Sequence, residues 1–183
     1  LPPLPVREGR GGIKNKQMNL SADELIEKLH LVRHPEGGWF CETYRSEEKI
    51  PAESLPDRFD GDHCFSTSIN FLLKSGELSK LHRLKADEIW HFYAGCPLKV
   101  IYIAENGELT AAVMGSNIRE GQVFQFLMAA GVWMGAYPLE ENSFTLTGCT
   151  VAPGFEFQDF ELADRSELLR EFPQHESIIN LLT

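Results

Sequence analysis

From about Cys64 to Phe160 the sequence breaks into short runs rich in β-branched and aromatic residues, each closed by a turn signal. The runs recur about every ten residues, which is the rhythm of an antiparallel sandwich or barrel. Strands are predicted over 67–73, 79–84, 88–93, 98–104, 109–114, 123–127, 132–138, 143–151 and 155–160, with an earlier one over 39–45. Asn106-Gly107 between two of these runs is a two-residue hairpin signal. Ser21 and Glu24 form a capping box that opens a short helix ending near residue 29. Asp164 and Glu167 open a C-terminal helix that Pro173 interrupts. The expected fold is all-β, a jelly-roll barrel with short helices at the N- and C-termini.

The chain has 183 residues, of which 43% are hydrophobic, enough for one domain with its own core. That domain is expected over 18–183. Residues 1–17 are rich in Pro, Gly and basic side chains without periodicity, and read as a disordered arm or an extension ahead of Met18. The formal net charge is −10, and the arm carries Arg7, Arg10, Lys14 and Lys16 against Glu8, so the body is at −13. A body so acidic repels phosphate backbones, which argues against nucleic acid as a partner. No apolar run has the length of a membrane span. Cys41, Cys64, Cys96 and Cys149 form no CxxC pair, so reduced structural thiols and a cytoplasmic location are expected.

The most informative stretch is GELSKLHRLKADEIWHFYAG, from Gly76 to Gly95. Gly76, His82, Glu88 and Gly95 stand at the spacing of the first conserved motif of the cupin superfamily, which this stretch resembles; Leu84 takes the place of the second histidine. Further on, Ala129 stands where the second cupin motif has proline, and Met134 where it has histidine. HPEGGWFCETYRS (34–46), STSINFLL (66–73), LHRLKADEIWHFYAG (81–95) and CTVAPGFEFQDFELA (149–163) together resemble the uncharacterised cupin-5 group, a former domain of unknown function. The resemblance covers about residues 20–182. It implies a cupin double-stranded β-helix, commonly a homodimer, related by fold to metal-independent dTDP-sugar epimerases, and it implies no particular reaction.

Metal cupins use three histidines and one glutamate. Here only His82 and Glu88 are kept, and two ligands hold a divalent ion poorly. No cofactor is therefore expected; His82 and Glu88 are the ligands if a metal is bound. His91 alternates away from Glu88 on its strand and reaches the same side only through a bulge. His82 and Glu88 are the expected catalytic pair, a proton-transfer unit with His82 as base. Trp90, Phe92 and Met134 are expected to line the cavity with them, and Asn70, Tyr44 and Arg45 to stand nearby or at its mouth. Such a pocket suits a sugar or nucleotide-sugar-like small molecule, and with it a metal-independent isomerase or epimerase. The alternatives are a non-catalytic metabolite-binding module and a metal-dependent cupin enzyme with an atypical ligand set. His34 and Glu36 read as a tight turn, Asp159 and Glu161 as the outer face of an edge strand, and His63 as a surface residue.

Overall fold

The structure, a computed structural model, describes residues 20–183; the arm over 1–17 and Met18 lie outside them. The elements are α1 (Ala22–Lys28), β1 (Val32–Arg33), β2 (Trp39–Arg45), β3 (Lys49–Ile50), β4 (His63–Cys64), β5 (Thr67–Lys74), β6 (Ser79–Leu84) and β7 (Asp87–Gly95). There follow β8 (Leu98–Ile103), β9 (Leu109–Met114), β10 (Gln125–Met128), β11 (Trp133–Pro138), β12 (Phe144–Ala152), β13 (Phe160–Leu162), α2 (Arg165–Glu171) and α3 (Glu176–Leu182). Two antiparallel sheets face each other, one in the order β1-β2-β5-β12-β7-β10 and one in the order β13-β6-β11-β8-β9. A small β3–β4 ribbon lies beside them. This is the all-β jelly roll expected, with short helices near both ends.

Strand alternation sends Phe71, Leu73, Trp90, Val100, Met114, Met134, Cys149 and Val151 into one apolar cluster between the sheets. The helices pack on the opposite faces. On the five-stranded sheet, Leu168, Phe172, Ile179 and Leu182 of the C-terminal segment pack on Leu81, Ile101, Ile103 and Trp133. Burying each such side chain contributes about 1.5–3 kcal/mol. On the six-stranded sheet, Leu25 and Leu31 pack on Leu72 and Leu146. The α1 capping box is present, with Ser21 accepting from the Glu24 backbone and Glu24 reaching back to Ser21. Among the described residues no helix is long and apolar enough to cross a membrane.

Residues 155–160 do not form the predicted strand. A 3-10 turn occupies Phe157–Asp159, and only Phe160–Leu162 pairs with β6. The alternating pattern there is real, but the aromatic side chains serve to close the barrel end instead of extending a ladder. Asp159 is buried, and His63, expected at the surface, is fully buried against it. The His63 Nε2 to Asp159 Oδ2 distance is 2.5 Å, and the His63 Nδ1 to Gly61 carbonyl distance is 2.9 Å. A lone histidine with no partner nearby in sequence gives no sign of a carboxylate 96 residues away.

Candidate functional site

One end of the barrel encloses a cavity of about 80 Å3 between the two sheets. At about 10–15 Å3 per water this is room for roughly six non-hydrogen atoms. Its walls are mainly aromatic: Phe40, Phe71, Trp90, Phe155, Phe157 and Phe160, with Leu84 and Val151. The polar groups facing it are His34, Glu36, Glu42, Arg45, Thr67, His82, Glu88 and Cys149.

His82 stands on β6 and is 2% exposed. Its Nδ1 lies 2.7 Å from the Lys80 carbonyl, an acceptor only, so that nitrogen carries a hydrogen and Nε2 is the exchangeable position. Nε2 lies 3.3 Å from Glu36 Oε2, not against Glu88 as expected. Glu36 also has His34 Nδ1 at 3.3 Å and accepts from Ser79 Oγ at 2.8 Å. Burial pushes the Glu36 carboxyl up, but the charge of His82, the imidazole of His34 and the Ser79 hydroxyl outweigh it and hold it below the ordinary value.

Glu88, on β7, accepts from the Trp90 indole at 2.7 Å. Burial pushes its carboxyl up to about 6; His82 and Trp90 pull it down, and the negative charge of Glu36 adds to the rise. The Cys149 thiol beside Glu88 is raised well above its ordinary value, first by burial and then by the two carboxylates.

Glu36 was the site residue that the sequence reading placed in a mere turn. The turn is there, with Gly37 N–H donating to the His34 carbonyl at 3.0 Å. Gly37 has φ +115°, and a Cβ there would collide with the Leu78 carbonyl. The turn is therefore pressed onto Leu78, the residue just ahead of β6, and His34 and Glu36 are aimed inward. Two consecutive glycines before a strand, marking a close backbone approach, were the signal that could have revealed it.

Of the other expected site residues, Trp90 and Arg45 line the cavity. Tyr44 does not: a bulge between Glu42 and Tyr44 breaks the alternation, pairs Arg45 with Thr67 on the cavity side and turns Tyr44 outward, 55% exposed. Asn70 lies between the inward Ile69 and Phe71 and faces the other way. Met134 pairs with His82 across β11 and β6 but is fully buried in the apolar cluster, and Phe92 packs on that cluster beyond the cavity. His91 points outward to Thr150 at 3.1 Å and Gln125 at 3.0 Å.

Arg45 closes the mouth. It bonds Glu42 through Nε and Nη2, Glu156 through Nη1 at 2.7 Å, and the Phe155 carbonyl through Nη2. The Glu42 bond, against the opposing effect of burial, raises its already high pKa further. A resident metal of the kind metal cupins hold does not fit. Leu84 and Met134 offer no ligand for a hard ion, Glu88 is engaged by Trp90, and among the described residues no three His, Cys, Asp or Glu are arranged to share an ion.

Comparison with known proteins agrees with this architecture. The family described as Cupin superfamily (DUF985) matches residues 23–163. The uncharacterised protein YML079W of Saccharomyces cerevisiae is 27% identical over 148 residues, 76% of this chain and 73% of that protein. Protein SO0799 of Shewanella oneidensis superposes with a TM-score of 0.81 at 40% identity, over 90% of this chain and 98% of that one. A Leishmania major protein described only as hypothetical gives 0.80 at 29% identity, over 90% and 99%. Oxalate decarboxylase of Bacillus subtilis shares the fold alone, with a TM-score of 0.50 at 17% identity over 86% of this chain and 38% of that one. The chain belongs to the cupin superfamily, in the family described as DUF985.

Proposed function

We propose that this protein binds a compact, sugar-like hydroxycarbonyl compound inside the barrel and isomerises or epimerises it without a metal. The observation that carries the reading is the opposed pair of carboxylates in one cavity, Glu36 held low beside His82 and Glu88 raised to about 6. Groups pushed apart in this way are suited to different roles in proton transfer. His82 Nε2, 3.3 Å from Glu36 Oε2 and facing the cavity, is the group placed to donate to the ligand oxygen. Glu88, ionised above about pH 6, accepts the proton alpha to the carbonyl. This assignment reverses the roles expected from sequence. Glu88 returns its proton to carbon while an enediol hydroxyl gives one back to His82, so both groups are restored and nothing is consumed. A cavity of about 80 Å3 accommodates the reacting sugar and leaves a nucleotide outside. The fold analogy with dTDP-sugar epimerases adds weak support only.

The test is exchange of the alpha hydrogen of dihydroxyacetone and other three- and four-carbon sugars in deuterated water, followed by NMR. The expected result is catalysed exchange that rises with pH through about 6 and drops at least about a hundredfold in Glu88→Gln. Saturable binding without exchange would replace this reading with the non-catalytic binding module.

A further inference from the structure

The charges around the cavity constrain the ligand more tightly than its shape does. Four carboxylates stand at the walls and mouth: Glu36, Glu42, Glu88 and Glu156. Against them stand Arg45 and the imidazoles of His34 and His82. Arg45 has five N–H groups, and protein acceptors occupy all of them. Nε and Nη2 serve Glu42, Nη2 also serves the Phe155 carbonyl, and Nη1 serves Glu156 with Cys64 Sγ at 3.8 Å. The one guanidinium at the entrance is thus a bolt across the mouth and is not free to grip an anion. The remaining wall is aromatic, with ring faces that disfavour negative charge. In so apolar an enclosure an added anion meets carboxylates at short range whose cationic partners are already engaged, and screening there is weak.

We infer that the cavity selects an uncharged or amino-substituted hydroxycarbonyl compound of about three or four carbons and rejects its phosphorylated and nucleotide-linked forms. This deepens the proposed function and rests on it for the location of the ligand, but not for catalysis. Hydroxyls of a free sugar match what the cavity offers, an acceptor at Glu88 and a donor at His82. A phosphate would need Arg45, and taking it would strip Glu42 and Glu156 of their shared counter-charge.

Dihydroxyacetone and dihydroxyacetone phosphate form the matched probe pair, with Trp90 fluorescence and ligand NMR as readouts on the full chain. The wild type is expected to bind the neutral sugar at least about tenfold more tightly than the phosphate. In the double variant Glu42→Gln/Glu156→Gln, which keeps side-chain size and removes both counter-charges of Arg45, phosphate affinity should rise at least about tenfold. The single variant Glu156→Gln, which removes only the counter-charge at Nη1, should show part of that gain and serves if the double variant does not fold. Equal or tighter binding of the phosphate by the wild type overturns the inference, as does a folded variant that gains no affinity for phosphate. If the variant gains phosphate affinity while the wild type binds neither probe, the charge selection stands and the isomerase reading falls.

Discussion

Glu88 illustrates how a single buried carboxyl links stability to chemistry. Its folded pKa of about 6 lies above the ordinary 4.5, so the folded state holds the proton more tightly than the unfolded chain does. Stability is therefore unaffected below about pH 4.5, falls as pH rises toward 6, and stays reduced above that. The shift corresponds to about 2 kcal/mol. Glu88→Gln keeps an acceptor for the Trp90 indole and removes the buried charge. It should raise the melting temperature at pH 7 by about 4–8 °C, with the gain vanishing near pH 4.5. A flat difference between pH 4.5 and 7 in thermal melts would contradict the burial argument. The gain comes with loss of the proposed base, so stability and exchange activity should move in opposite directions. His82 and Glu88 were legible in the sequence because two fixed spacings of one motif meet in them. Glu36 was not, because its place at the site depends on Gly37 packing under Leu78, a contact across 41 residues of chain.

The strands were legible because each carries its own evidence, period-two alternation bounded by turn residues, and β2, β6 and β9 begin and end where the pattern says. The segment over 155–160 was misread because its aromatic residues alternate for another reason, to seal the cavity end. That segment is held from outside by β4 and the loop that joins it to β3. His63 bonds Asp159, Gln158 bonds the Asp60 carbonyl, and Lys85 bonds Asp60 at 2.6 Å. Asp159 Oδ1 takes no hydrogen bond among the described residues and lies 3.5 Å from Lys85 Nζ. Burial pulls the His63 imidazole down, but Asp159 and the Gly61 carbonyl outweigh it and the net shift is upward. A raised histidine contributes stability that is complete below its ordinary value of 6.5 and is lost as pH rises through the folded value. Asp159→Asn keeps an acceptor and removes the charge. It should cost about 2 kcal/mol at pH 6 and less at pH 9, with faster amide exchange over 57–64. An equal cost at both pH values would mean that the charge of His63 plays no part. The pH window of this pair lies above that of Glu88, so the two variants can be separated in one series of melts.

The whole molecule carries an asymmetry that neither sheet explains alone. The five-stranded sheet is covered outside by α2 and α3, whereas α1 covers only part of the six-stranded one. Over β7, β10 and the near part of β12 the outer surface is bare. Register sets Leu127 beside Ile89 and Gln125 beside His91, and Thr150 lies next to Ile89 on the other side. Ile89, Tyr93 and Leu127 are 40%, 55% and 54% exposed, and Tyr44 and Phe124 are similarly open. The groups between them, Ser68, Thr150, His91 and Gln125, are polar without carrying a fixed charge, and they bond one another. A patch free of carboxylates on a chain of net charge −10 has the composition of an interface centre. A two-fold axis through the sheet would lay the same uncharged apolar rows of two copies on each other. We expect a dimer through this face. Leu127→Glu and Ile89→Glu place carboxylates against their own symmetry mates, and each should yield a monomer in sedimentation velocity while the far-ultraviolet circular dichroism stays unchanged. The cavity opens at the barrel end between the sheets, so such a monomer should bind dihydroxyacetone with unchanged affinity. A wild type that sediments as a monomer at every concentration would remove the dimer, and loss of ligand binding in a folded monomer would mean that the partner supports the site.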